Sequence, residues 1–475
     1  MAKRLTILLL VLILCISSLT SCFIVINKPK GDKNTEVTTQ KPVETVEPMP
    51  DVLEEGRKDA ESVLEKDFGG KNFEGQTFIV VNADDTSIFI EAEQETSVSR
   101  AVELQKNLVA KKLNCNIIVN NVEYATFLSD ALAAKNAGMF YADLVCVPQK
   151  ALGYMRTMDM VANLGQLYGD VFGEEYFYLD SKSQTSGNNS FFGIAGRGAI
   201  TPAAYGCLYF NKTVTDLCGV TNTIYESVEN GTWTVDKMHE IKRLCGDSYG
   251  YLTLLGASDN ETVVRGLYSS SGMKYIQSGM SLSPVLADNG DRFTNFINML
   301  QTMFVDTSCV VSDNAVDSFE EGYTLFYAST LEEAALIKGK YGIVPMPKLD
   351  ETQDRYYSYA TENARLYAVL NTNNRPQFVP DVLKALNGTA QIVHDAWARD
   401  YLDYILRDSK SYGMIKLIFD SASYDMAYMF GENYPSVAES TYVALENAIV
   451  SNVPYGDSVK KQTAQFAKDM AAIFP

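Results

Sequence analysis

The chain has 475 residues, which is too many for one compact core, so two domains or lobes are expected at roughly 100–200 residues each. Its 46% hydrophobic and 21% charged residues, with only one long apolar run, exclude a disordered chain and a multi-span membrane protein. Forty Lys and Arg against 59 Asp and Glu give a net charge of −19, a surface repelled by nucleic acid and by anionic membranes. Two histidines, His239 and His394, leave little material for a histidine-built metal site or a Ser–His–Asp apparatus.

Met1-Ala2-Lys3-Arg4 is followed by an apolar run from Leu5 to about Ile16, shorter than the roughly 18 residues of a spanning helix. Two positive charges, a short apolar stretch and a small-residue exit form a secretory signal. The exit, Leu19-Thr20-Ser21-Cys22, resembles the bacterial lipobox, in which cleavage falls before the cysteine and its thiol carries the lipid. Residues 1–21 are therefore expected to be the signal and Cys22 the lipidated residue. Residues 22–71 are expected to be a flexible tether, because the stretch from Asn27 to about Asp51 is too poor in apolar groups to fold. Within that tether, Glu54 to about Lys66 reads as a marginal helix with no assigned role. The six cysteines left after Cys15 and Cys22 read as small buried hydrophobes. No C-x-x-C pair suggests zinc.

From Phe73 the pattern becomes regular. Phe73-Glu74-Gly75 turns into the strand Thr77–Val81, and a polar loop Asn82–Ser87 follows. Apolar spacing predicts a helix over Ser97–Leu113, then the strand Asn116–Val119, a helix from Tyr124 to about Asn136 and the strand Ala142–Val147. This alternation predicts an α/β lobe with a largely parallel sheet. The last strand is mostly apolar, as a parallel strand buried on both faces requires. Ligands of such sheets sit beyond the carboxyl ends of the strands, here 82–89 and 148–154. Further strands are expected at Phe191–Ile194, Ala204–Phe210, Thr324–Tyr327, Tyr341–Pro345 and Arg365–Leu370. Helices are expected to dominate from Trp233 to Asp306 and again to Phe474, with Thr234 as an N-cap.

A lipobox, a polar tether and an α/β lobe precede Tyr209-Phe210-Asn211-Lys212, Gly231-Thr232-Trp233-Thr234-Val235-Asp236 and Tyr341-Gly342-Ile343-Val344-Pro345-Met346-Pro347. In this order the motifs resemble the extracellular solute-binding proteins of ABC importers, in the carbohydrate-binding group typified by maltose-binding protein. Phe210-Asn211 departs mildly from the commoner tyrosine before asparagine. Tyr424-Asp425, within Ile418–Phe430, also looks like a C-terminal element of that group. The resemblance implies a two-lobe, type II periplasmic-binding-protein-like fold of α/β class, with strands crossing between the lobes near 201–207 and 361–370. The first lobe is expected over 72–202 plus 363–405, and the second over 205–360 plus 406–475. The lobes would close on a solute by hinge motion, driven by ligand interactions that form only in the closed state.

Candidate ligand contacts follow from the strand ends and the crossings. Asp84 and Asp85 could accept hydrogen bonds from sugar hydroxyls, and Phe89 could stack on a sugar face. A solvated turn and lobe packing are the plainer readings of these three. Gln149 and Tyr154 lie past the third strand, Tyr205 at the first crossing, Tyr327 at a second-lobe strand, and Glu362-Asn363 before the second crossing. Each also has a structural reading. Trp233 and Trp397 are expected in the core. No catalytic residue, metal or cofactor is assigned.

The sequence thus points to a lipid-anchored receptor on the outer face of the cell membrane, delivering a small-molecule solute, a sugar or oligosaccharide, to ABC permease subunits. No nucleic-acid partner is expected. The competing reading is a surface-anchored glycan-active enzyme using a carboxylate pair, which composition cannot exclude among 59 acids. No G-x-S-x-G or H-E-x-x-H is present to support other hydrolases.

Overall fold

The computed structural model describes residues 52–83, 96–173, 175–199, 201–246, 252–401 and 409–475. The signal, Cys22 and most of the tether lie outside this range. Residues 50–475 form one compact unit built on two principal sheets.

The first sheet holds β1 (Thr77–Ala83), β2 (Asn116–Val122), β3 (Leu144–Pro148) and β9 (Arg365–Ala368), in the order β9-β3-β1-β2. β1 is parallel to both β2 and β3, and β9 closes the far edge antiparallel to β3, with Arg365 opposite Pro148. Every residue of β3 is buried, as its apolar run requires. Helix α1 (Ser97–Leu113) connects β1 to β2. The Thr96 hydroxyl accepts from the Ser99 amide, and the Ser99 hydroxyl accepts from the Thr96 amide, a reciprocal cap. Asn114 then stops the helix in the left-handed conformation, at φ 47°. Helix α2 (Tyr124–Ala137) leads to β3, and α3 (Ala151–Thr157) leaves it.

The second sheet has the order β6-β5-β7-β4-β8, from β4 (Gly206–Asn211), β5 (Thr253–Ala257), β6 (Cys309–Val311), β7 (Thr324–Thr330) and β8 (Tyr341–Val344). β5, β6 and β7 are mutually parallel, while β4 runs antiparallel between β7 and β8. β5 falls where helices were expected to dominate, and β6 lies just past that stretch, where no element was predicted. Thr253–Ala257 is a five-residue apolar run, too short for periodicity to separate strand from helix, and its place between β6 and β7 makes it a strand. Gly342 of the Tyr341-Gly342-Ile343 motif is required sterically, since a Cβ there would collide with the Phe210 ring and the Tyr225 hydroxyl. Trp233 is core, as expected: it is fully buried, donates from Nε1 to the Pro345 carbonyl at 2.9 Å, and its ring lies 5.4 Å from Phe326. Thr234 caps the following helix, accepting from the Lys237 amide at 3.2 Å.

Val52–Asp67, placed in the tether by the sequence reading, is a helix docked on the first sheet's half, against α1 and residues 391–395. Its Ala60 and Leu64, with the following Phe68, are buried. An apolar stripe of three residues in a charged segment is weak by composition and becomes decisive only when a partner surface exists. The C-terminal helices touch both halves. Met426–Phe430 packs on α3, while Tyr442–Val450 packs on Asn260–Ser270 and Gly290–Val305.

Candidate functional site

The chain passes from the first sheet to the second between residues 199 and 206, and returns between 344 and 365. The two crossings are joined. Tyr205 pairs with Ala360 as an antiparallel bridge, and the Thr361 amide donates to the Ala204 carbonyl at 2.9 Å. A third segment lies alongside, with Ser358–Tyr359 parallel to Ala422–Ser423. The carboxyl ends of strands in both sheets point at this ribbon. From the first sheet, Gln149 follows β3 and donates from Nε2 to the carbonyls of Ala360 (3.0 Å) and Thr361 (2.6 Å). From the second, the helix after β5, Asn260–Ser270, brings Arg265 to 3.9 Å from Glu362. In an open α/β architecture this is where a ligand binds.

The predicted residues separate on this frame. Asp84, Asp85 and Phe89 lie outside the described residues. Tyr205 is fully buried, its hydroxyl 2.8 Å from that of Tyr424, which in turn donates to the Arg365 carbonyl at 3.3 Å. Burial raises the Tyr205 hydroxyl above its usual range. In this structure Tyr205 is part of the ribbon itself. Gln149 is likewise fully buried and ties α3 to the second crossing, although its Oε1 has no hydrogen-bond partner among the described residues. Tyr327 is 3% exposed and shares a hydrogen bond of 3.0 Å with Ser258, at the carboxyl end of β5. Tyr154 is half-buried beside Tyr124, and burial, aided by the charge of Glu432 and by Tyr154, pushes the Tyr124 hydroxyl up to about 12. Asn363 is half-buried and donates from its amide to the Thr361 hydroxyl at 3.3 Å. Gln149 and Asn363 thus come together with Tyr205 at the ribbon, Tyr154 stands over the first half, and Tyr327 lies in the second.

Sequence reasoning passed over a cluster on the second half's side. Arg265 donates from Nη1 to Glu261 and from Nε to Glu446, the latter at 2.6 Å. Tyr442 and Tyr428 lie 4.2 and 5.7 Å from its guanidinium carbon. Tyr359 packs 5.4 Å from Tyr428. The only linear signal was Glu261 four residues before Arg265, a common helical pair. Glu362, Tyr428, Tyr442 and Glu446 come from distant sequence.

The sequence matches no known family model and none of the curated proteins. Solved structures do share its fold. One is the galacto-N-biose/lacto-N-biose I-binding protein of the ABC transporter from Bifidobacterium longum. The two superpose with a TM-score of 0.54 at 11% identity, over 84% of this chain and 98% of that one. Another is the sugar-binding protein MalE from the phytopathogen Xanthomonas citri, with a TM-score of 0.53 at 12% identity, over 83% of this chain and 97% of that one. The chain therefore has the two-lobe α/β fold of these binding proteins. Among the described residues no helix is long and apolar enough to cross a membrane.

Proposed function

We propose that the protein is a lipid-anchored extracellular solute-binding protein that delivers a sugar or oligosaccharide to an ABC importer by closing its two halves on the solute. The observation that carries this reading is the convergence of the strand ends of both sheets on one ribbon of crossing segments, in a fold shared with sugar-binding proteins over most of the chain. A ribbon of short bridges can flex while each half stays rigid, so interactions made only when the halves approach would favour the closed state. The lipobox at Cys22 supplies the anchor in this reading, and the domain limits follow the crossings: 72–202 plus 363–405, and 205–360 plus 406–475. Asp84, Asp85, Phe89, Gln149, Tyr154, Tyr205, Tyr327 and Asn363 remain the sequence-derived contact candidates. Gln149 and Tyr205 would act through the ribbon.

The test is titration of the purified protein with a panel of mono- and oligosaccharides, followed by thermal melting, X-ray scattering and product analysis. A cognate solute at 100 times its Kd should raise stability by about 2.7 kcal/mol and reduce the radius of gyration. A tight ligand that leaves the radius unchanged would remove the closure step. Release of a cleaved product would replace the receptor with a glycan-active enzyme. Mass spectrometry of the membrane-extracted protein should find a diacylglyceryl group on Cys22.

A further inference from the structure

Where helix Asn260–Ser270, the second crossing and helix Tyr442–Val450 meet, three carboxylates surround one guanidinium. Glu261 and Glu446 take the hydrogen bonds of Arg265. Glu362 stands off at 3.9 Å, and its buried Oε2 makes no hydrogen bond among the described residues. Tyr359 faces the same group, under the charges of Arg265, Glu362 and Glu261. It is 2% exposed, and its hydroxyl has no hydrogen-bond partner among the described residues. The cluster therefore holds two orphaned polar atoms and an excess of negative charge in a half-buried place, each of which costs free energy unless something else supplies donors and positive charge.

The identity of that missing group is constrained. A neutral hydroxyl could satisfy a hydrogen bond but not the charge. A metal ion needs ligands aimed at one point, and no group of three or more acidic, histidine or cysteine side chains among the described residues has that arrangement. An ammonium supplies both one positive charge and three donors, and it sits well beside aromatic rings. We propose, resting on the solute-receptor reading above, that the cleft takes a solute bearing a protonated primary amine, with its ammonium held by Glu362 and the Tyr359 hydroxyl next to Tyr428. Burial and the neighbouring carboxylates Glu362, Glu446 and Asp259 push Glu261 up to about 7 against the pull of Arg265, consistent with a place short of positive charge.

The test is calorimetric titration of the full-length protein with glucosamine oligosaccharides, their N-acetylated counterparts, neutral glucose oligosaccharides and spermidine. The expected result is at least tenfold tighter binding of the amine-bearing saccharides than of the N-acetylated ones. Glu362→Gln should lose that preference about tenfold while binding of neutral saccharides changes less than twofold. Tyr359→Phe, a change of one oxygen, should lose several-fold for the amine alone. Spermidine binding as tightly as the amino sugars would support the amine claim and assign the solute to polyamines. Neutral or N-acetylated sugars binding as well as the amines would overturn this inference and leave the solute-receptor reading standing. No binding by any member of the panel would overturn both.

Discussion

The two flanks of the crossing ribbon differ in the charge around their polar groups, although each keeps unpartnered oxygens among the described residues, Gln149 Oε1 and the Tyr178 hydroxyl on the first and Tyr359 and Glu362 on the second. On one flank Tyr205 and Tyr424 bond each other and the Arg365 carbonyl, and Phe419 packs 6.0 Å from Tyr205. Arg365 is fully buried there and donates from Nη2 to Asn82 Oδ1 at 2.7 Å and to the Ala83 and Cys146 carbonyls at 2.9 and 3.2 Å. On the other flank the oxygens of Tyr359 and Glu362 beside Arg265 have no hydrogen-bond partner among the described residues. The same residue types do both jobs. The Tyr205, Tyr424 and Arg365 bonds specify a single arrangement of the ribbon, whereas the second flank gathers three carboxylates around one guanidinium.

Arg365→Met gives the largest separation between the flanks. It leaves the Ala83 and Cys146 carbonyls without this charged donor, and should cost about 3 kcal/mol in urea unfolding. A loss below about 1 kcal/mol would mean that this flank is not the stabilising one.

Removing single hydroxyls sharpens the contrast. Tyr205→Phe should cost about 1 kcal/mol, since it removes a bond from a buried chain, whereas Tyr359→Phe removes an unpartnered hydroxyl and should be neutral or slightly stabilising. Equal losses at both sites would erase the comparison.

The pH dependence combines two opposite signs. Glu261, facing Arg265, Glu362, Glu446 and Asp259, is held up at about 7, and Asp425, facing Lys274, Asp180 and the amides of Tyr275 and Ala427, at about 6, burial leading in both. Both folded values exceed the unfolded ones of 4.5 and 3.8, so these acids contribute stability that is full below those values and is lost as pH rises from there through about 6 to 7. His394, buried between the Arg197 carbonyl and Phe419 with Asp420, Arg197 and Asp395 nearby, is lowered to about 4. It contributes stability above its unfolded value near 6.5 that is lost as pH falls towards 4. The two acids outweigh the one imidazole, so melting temperature should fall as pH rises from about 4.5 to about 7, and Glu261→Gln should make that fall shallower. An unchanged fall in that variant would remove Glu261 as its source.

A purely local effect is expected away from the ribbon. Thr234→Ala removes the cap on the helix that follows Trp233 and should cost about 1 kcal/mol without altering solute affinity. An affinity change would mean that the Trp233 region reports to the cleft.

Local patterns carry much of the fold. Helix Ser97–Leu113 was legible to its last residue because its cap and apolar spacing are contained in one segment. β1, β2 and β3 were legible because strand and helix periods alternate cleanly there. Trp233 was legible as core from its place beside an N-cap. β5 and β6 were not, because three to five residues carry no period, and the docked helix Val52–Asp67 was not, because its stripe means nothing without a partner. At the crossing ribbon, Gln149, Glu362 and Asn363 were reachable as positions next to strand ends. Arg265, Tyr359, Tyr428 and Glu446 were not, because they are ordinary helix or strand residues until four separate segments meet.

By itself the sequence determined the alternating first lobe and the order of motifs that resembles solute-binding proteins, both of which depend on neighbours within about 20 residues. Only the tertiary structure decided which tyrosines seal the ribbon and which keep a free hydroxyl at its edge. That distinction depends on what lies within 3 Å of each oxygen, and no linear pattern encodes the partner across the fold.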